Sequence, residues 1–557
     1  MQRFAPIVLL LISFAVYAPA LTAPYMWDDL SLIENNPTLD DHGNIPRYFT
    51  SDLGLYNQHP RLMGFYRPLQ AASFHIEVAV FGRSAPWQRA VNILLHGLAA
   101  IAVYLIAQSL LKSNTGAFFA GLLFAAHPLC SEQVCLVANR GGVATGALSL
   151  WVLALITRAT GVGGQLRKFP LAATAFLYVA ALLFKPEPLT LFVPVVAWLL
   201  LARPNRNGES RPWVATAGMI AGLAVAYAVW RWGILGISHG HKSVNVDFLT
   251  RLLALSRITL DALRLSLFPT GLRAIRSADY KALSALPGFF ASTVFWLFLF
   301  FLAWRRRREH PVFAFAAVFF ASTIAPYSGL VALVRPVAEH YYYLPAAATC
   351  LALAGLGEVI SRKRLAGCLL ATLVVLFAGA TILRAFVWQS EEKLWSDNAL
   401  KEPANSQVLN NLGTVWAQQG DYDSAWLFFT QAASANPSNI KARLNRANTG
   451  IETGRHHEII GDITDALQVD PCNRKALILL GRLVATADQG AWAISDLGRR
   501  LERNPCAALG YVGAAIEYEK RGEKRRAAEN YRKFLNVAPG HPLAGSVRQS
   551  LAAIEKP

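Results

Sequence analysis

The stretch APIVLLLISFAVYAPALTAPYMWDD (residues 5–29) joins an apolar run to two adjacent carboxylates. About twenty apolar residues cross a hydrocarbon core of roughly 30 Å, so residues 5–23 suffice for one span. The basic residue before the run and its Ala-x-Ala-like APA resemble a cleaved leader. The run is longer than a leader's apolar core, however, and many similar runs follow, so it reads as an uncleaved first span. Asp28 and Asp29 then emerge at headgroup depth. On their own they read equally well as a helix cap with a solvated neighbour or as part of a chemical site.

Working outward, the same character extends over most of the 557 residues. The chain is 54% hydrophobic and 16% charged, with a mean hydropathy of +0.33. Soluble domains carry roughly 25% charge, so the deficit indicates a membrane protein. Polarity rises to ordinary values after about residue 388, which sets the main boundary between a membrane domain (1–390) and a polar domain. The net charge of +18 comes from basic residues lying between apolar spans. That is the pattern of cytoplasmic loops facing an anionic leaflet, and nucleic acid is not an expected partner. The six cysteines show no Cys-x-x-Cys or Cys/His metal spacing, so neither a zinc site nor a disulfide framework is expected.

Eleven spans are predicted: 5–23, 87–111, 115–134, 143–157, 170–184, 188–202, 213–236, 289–304, 311–333, 343–360 and 365–387. Basic loops at 158–168, 202–212, 305–309 and 361–364 are then all cytoplasmic, with the N-terminus inside and the polar domain outside. Residues 251–272 carry Arg251, Arg257, Asp261 and Arg264 at helical spacing and read as an amphipathic helix on the outer face. The loops bearing polar chemistry all fall on that outer side: the long first loop 24–86, then 127–142, 185–188 and 335–345.

In the polar domain, prolines recur at 403, 437, 471, 505 and 539, every 34 residues. That is the tetratricopeptide period. Leu409, Leu412, Gly413, Trp416, Ala425, Phe429, Ala432 and Pro437 fit its pattern, and Tyr511, Ala515, Tyr518, Ala527, Tyr531, Phe534 and Pro539 mark a later copy. Arg443 and Gly450 depart from it. The expectation is four repeats over 402–541 and a tail, 542–557, in an all-α chain. Such solenoids suit peptide binding, or else packing and oligomerisation.

The polar outer loops suggest a chemistry. Transfer of a sugar to a hydroxyl needs a base, because the attacking O–H loses its proton as the new bond forms. Asp28 and Asp29 supply carboxylates for that role. A leaving phosphate needs cations, and Arg67, Arg140, Lys185, Arg335 and His340 lie on the same side; arginine binds phosphate bidentately and lysine as a point charge. His127, Glu132, Glu187 and Glu339 are supporting candidates, with a structural Glu132–Arg140 pair as the plainer alternative. Carboxylates can hold Mg²⁺ or Mn²⁺, although a phosphate already held by arginines does not require a cation.

WDDLSLIENNP (27–37), YRPL (66–69), NILLHGLAA (92–100), AAHPLCSEQVCLVANRGG (125–142), FKPEPLTL (184–191) and AEHYYYLPAA (338–347), followed by the repeats, resemble the tetratricopeptide-containing membrane glycosyltransferases of the GT-C superfold. That group includes the transmembrane O-mannosyltransferases that target cadherins, and their bacterial relatives. The resemblance implies a GT-C helix bundle, a site in the first outer loop, a polyprenyl-phosphate sugar donor and a hydroxyl acceptor, with Asp28 as the base. Two departures stand out. Pro186 displaces Glu187 by one position from the family's Lys-Glu, and His340 replaces an arginine, which weakens phosphate binding near neutral pH. Composition points to a bacterial source, hence an inner-membrane protein with periplasmic repeats. The alternatives are a non-catalytic membrane scaffold for envelope assembly, and a related enzyme with a lipid or polysaccharide acceptor.

Overall fold

A computed structural model describes residues 3–53, 64–160, 171–202, 211–237, 246–277, 279–328, 335, 337–486, 506 and 508–555. Most of the basic loops 158–168 and 202–212, part of the first outer loop, Pro336 and Pro505 lie outside the described residues. All regular structure among those described is helical. The chain divides into two compact units, Met1–Leu394 and Trp395–Pro557.

The first unit is a polytopic membrane helix bundle. Seven of its helices are long and apolar enough to cross a membrane: Ala5–Thr22, Ala85–Leu110, Val137–Ala159, Ala215–Ile234, Leu286–Arg305, Glu339–Val359 and Lys363–Val387. Four shorter apolar helices accompany them: Asn114–Ala125, Leu171–Phe184, Glu187–Leu201 and Pro311–Tyr327. Helix Leu286–Arg305 shows what surrounds the bundle: Phe290, Val294, Leu297, Phe298 and Phe301 are exposed along it. In water such a surface would drive association; in lipid it is the solvated face. The span expected over 115–134 stops at Ala125, because Pro128 bars the helical conformation at His127. The His127 ring then accepts from the Leu129 amide at 3.2 Å and starts a new short turn.

The first span is seated by small residues. A Cβ at Gly97 would lie 2.7 Å from the Leu10 side chain, and one at Gly121 3.0 Å from that of Leu9, so a larger residue at either position would make these leucines shift. His96 is a satisfied core histidine, 2.8 Å from the Tyr343 hydroxyl and 3.2 Å from the Ala125 carbonyl. The amphipathic segment forms helix Phe248–Leu267, capped by the Asp247 carboxylate accepting from the Thr250 amide at 2.9 Å. An apolar cavity of about 530 Å³ opens between this helix and Leu286–Arg305, lined by Leu263, Leu267, Trp296 and Phe320. No candidate site residue borders it.

The second unit is built of antiparallel helix pairs: Ser406–Gln418 with Tyr422–Ala435, Ile440–Glu452 with Ile460–Val469, and Ala508–Lys520 with Lys524–Val537. Arg474–Thr486 begins the third unit of the period. Gly420, Gly454 and Gly522 turn the pairs with φ of 81°, 73° and 75°, and they sit on one 34-residue register. The two departures from the pattern have local causes. Arg443 bridges Asp462 at 3.0 Å and Asp465 at 2.6 Å, while Gly450 makes room for Ile459 and Trp426. Cys472 and Cys506 form a disulfide with Cα atoms 5.4 Å apart. The sequence expectation of no disulfide fails here, because equivalent positions of successive repeats become neighbours only after the units stack.

Candidate active site

The site is built on the turn after the first span. Trp27 has φ = 52°, the one left-handed residue other than glycine among those described. A bulky side chain there is strained and persists only when its surroundings hold it. Glu391 accepts a hydrogen bond from the Trp27 amide, and the Arg335 guanidinium lies 4.5 Å above the indole ring. The turn sends the two aspartates opposite ways: Asp28 is exposed and Asp29 fully buried.

Asp29 is bound into the protein. One oxygen accepts from the Ala138 amide at 2.6 Å, and the other from the Met26 amide at 3.3 Å. Arg89 approaches to 4.0 Å and donates to the carbonyls of Cys135, Ala23 and Pro24 at 2.7, 2.6 and 3.0 Å. Together these groups lock the end of the first span to the loop 127–142. Burial pushes the Asp29 carboxyl up to about 7, against the pull of Arg89 and of the Ala138 and Met26 amides. A buried acid whose folded pKa exceeds its unfolded value stabilises the fold fully below pH 4 and loses that stabilisation as pH rises through 7. We therefore expect the apparent Tm of the wild-type chain in detergent to fall between pH 5 and pH 8. Asp29→Asn should flatten that slope, read by differential scanning fluorimetry across the pH series.

Glu132 is buried and contacts the His340 ring at 2.7 Å. Burial opposes its ionisation, but His340, Arg335 and Arg384 together hold its carboxyl below the ordinary value. Its second oxygen has no hydrogen-bond partner. Gln133 donates to the His340 carbonyl at 2.6 Å and Gln70 to the Ala138 carbonyl at 2.9 Å. Both amides reach in because a Cβ at Gly141 or Gly142 would collide with them at 2.2 or 2.3 Å. Tyr341 stacks on Tyr327 with ring centroids 4.1 Å apart, and the Lys185 ammonium lies 5.7 Å from the Tyr327 ring. Lys185 pairs with Glu187 across Pro186. Burial pulls Lys185 down, Glu187 resists, and Arg67 adds to the fall. Arg67 is likewise lowered by burial and supported by Glu187.

The structure thus gathers Arg335, Glu132, His340, Lys185, Glu187 and Arg67 around the Tyr327–Tyr341 stack; Asp28 follows Trp27, whose ring lies under Arg335. Other expected residues are engaged elsewhere. Arg140 donates to both Glu77 oxygens, to Asn92 and to the Gln88 carbonyl, which occupies four of its five N–H groups. The alternative Glu132–Arg140 pair does not form. Glu339 accepts from Arg276 at 2.7 Å and from the Arg273 amide at 2.6 Å. His127 is fully buried, 2.9 Å from the Ser266 carbonyl. Among the described residues, no three His, Cys, Asp or Glu side chains converge as metal ligands. Sequence reasoning missed Glu77, Arg89, Arg276, Tyr327 and Arg231, whose partners are remote in the chain.

Comparison with known proteins finds relatives named as O-mannosyl-transferases. The chain is 22% identical to human protein O-mannosyl-transferase TMTC3 over 594 aligned residues, 94% of this chain and 63% of the human protein. Protein O-mannosyl-transferase F38B6.6 of Caenorhabditis elegans is 24% identical over 78% of this chain and 63% of its own length. The chain is similar to protein O-mannosyl-transferases of the TMTC type. Local identity rises to 32% with Drosophila melanogaster Tmtc2, over 32% of this chain and 20% of the fly protein. The chain spans less than two thirds of the length of these relatives. No protein-family model matches it.

Proposed function

We propose that the chain is a membrane glycosyltransferase of GT-C type that moves a sugar, mannose by analogy with its relatives, from a polyprenyl phosphate to a serine or threonine hydroxyl of a protein. The observation that carries this reading is the group of cations, Arg67, Lys185, Arg335 and His340, around the Tyr327–Tyr341 stack, with Arg335 over the ring of Trp27, the residue before the exposed carboxylate Asp28. Asp28 takes the proton of the attacking hydroxyl as its oxygen bonds to the anomeric carbon. The bond from that carbon to the phosphate oxygen breaks, and the lipid phosphate leaves with the electron pair. Arg67 and Lys185 hold its oxygens. Arg335, fixed over Trp27, and His340, oriented by Glu132, flank it. Asp29 positions the turn and exchanges no proton with substrate. A divalent cation at Asp28 is an optional addition to this scheme.

The reading extends to sidedness. Disulfides persist in oxidising compartments, so the Cys472–Cys506 bridge supports repeats on the extracytoplasmic side. In a bacterial inner membrane that side is the periplasm, with the N-terminus in the cytoplasm. We assign acceptor capture to the repeats. Their stacked helix pairs are of the solenoid kind whose concave face suits a peptide. The purified full chain in lipid nanodiscs, given polyprenyl phosphate carrying labelled mannose and a Ser/Thr-rich peptide, is expected to label the peptide and release polyprenyl monophosphate. Label appearing on lipid or polysaccharide instead would redirect the acceptor assignment. No transfer to any acceptor would favour the scaffold.

A further inference from the structure

Arg231 is a guanidinium without an assigned task. It lies in the apolar helix Ala215–Ile234, within its π-helical last turn Val229–Ile234. Charges inside a span are costly, and π turns recur at functional positions. Its side chain is 1% exposed. One terminal nitrogen donates to the Gly64 carbonyl at 3.0 Å; Nε and the other terminal nitrogen make no well-aligned hydrogen bond, and the polar group beside the guanidinium is the Tyr227 hydroxyl. Leaving such donors buried without a well-aligned partner costs stability that folding alone gives no reason to bear.

Arg231 borders the site described above. Trp230, its neighbour, donates to the Tyr66 hydroxyl at 3.0 Å, and the Tyr66 and Tyr227 rings lie 6.2 Å apart. Residues 64–67 therefore run along the end of this helix. Arg67 follows Tyr66 directly, and its electrostatic neighbours are Glu187 and Arg231. Arg67 also lies within electrostatic reach of Lys185. Three cations, Arg67, Arg231 and Lys185, are thus set against Glu187, with Glu132 also in electrostatic reach of Lys185. That surplus of about one positive charge calls for an anion.

We infer that Arg231 donates its two unsatisfied N–H groups to the leaving phosphate and binds it more tightly once it is a free monoester. This rests on the reading of the site as one that holds a lipid phosphate. The sugar-bearing donor is a phosphodiester with one negative charge, and the departing monoester carries nearly two at neutral pH. A cationic site with spare donors therefore gains interaction as the bond to the sugar breaks. Interactions that grow toward the transition state raise kcat rather than lower KM.

The test uses the full chain in nanodiscs, with a short-chain polyprenyl monophosphate lacking sugar as binding probe and inhibitor. Arg231→Gln is expected to lower kcat by about 10²-fold, to raise the inhibition constant of the monophosphate by at least about tenfold, and to leave the donor KM within about threefold. Arg231→Lys keeps the charge without the fork and should recover part of both losses. An unchanged kcat and inhibition constant would overturn the inference while leaving the proposed function intact. So would a raised KM at unchanged kcat. A wild-type chain that neither binds the monophosphate nor transfers sugar overturns both. Should the glutamine variant fail to fold, the lysine variant decides: full wild-type affinity for the monophosphate overturns the inference, and a several-fold loss supports it.

Discussion

Replacing Asp28 with asparagine should lower the rate of sugar transfer by about 10²- to 10⁴-fold, the usual contribution of a positioned base. Asparagine is nearly isosteric and keeps a hydrogen-bonding oxygen, but it cannot accept the hydroxyl proton. Because Asp28 is exposed, the change should move the apparent Tm less than Asp29→Asn, which disturbs a carboxylate bonded to two backbone amides. Donor binding, measured with the unreactive monophosphate, should persist, since the cations that hold it are elsewhere. Activity within about threefold of wild type would remove Asp28 from the chemistry. Equal losses at both positions, with the Asp29 variant properly folded, would make the pair act jointly.

The second large effect concerns stability. Arg140→Gln should destabilise the membrane unit by about 3–5 kcal/mol, because it strands the buried Glu77 carboxylate. Asn92 and the Gln88 carbonyl lose their donor as well. Pairing the change with Glu77→Gln should recover much of the loss, since two neutral amides can bond each other without leaving a buried charge uncompensated. The measurement is a denaturation midpoint in mild detergent for the two single variants and the double. A folded Arg140→Gln chain with normal stability and weakened donor binding would return Arg140 to the phosphate site, as the sequence alone suggests.

What the sequence discloses follows from the range of each signal. Apolar runs and the 34-residue register are local and periodic, so the helical bundle and the turn glycines can be anticipated. The sequence also names Asp28, Lys185 and Glu187 as candidates, but neither the exposure of Asp28 nor the pairing of Lys185 with Glu187. Partnerships across the bundle do not declare themselves either. His340 meets Glu132 from 208 residues away, and Arg140 meets Glu77 from 63. No spacing rule distinguishes an arginine that faces a ligand from one saturated by remote carbonyls. Arg231 is hidden differently: within an apolar window a single arginine reads as an interruption, and only its nitrogens without a well-aligned bond mark it out. The disulfide escapes for a related reason, since 34 residues is a repeat period and no familiar cysteine spacing.

The strained turn at Trp27 bears on how the protein can be cut. Its amide relies on Glu391, the first residue of a helix that runs to Lys401 and so continues past the boundary between the two units. A truncation placed where hydrophobicity ends, near residue 388, would look conservative on a hydropathy plot. It would also release the left-handed tryptophan and let Asp28 wander from its aim. Loss of activity in such a fragment would then report a slackened turn rather than a missing repeat array. Any dissection of the two halves should keep the chain through Lys401.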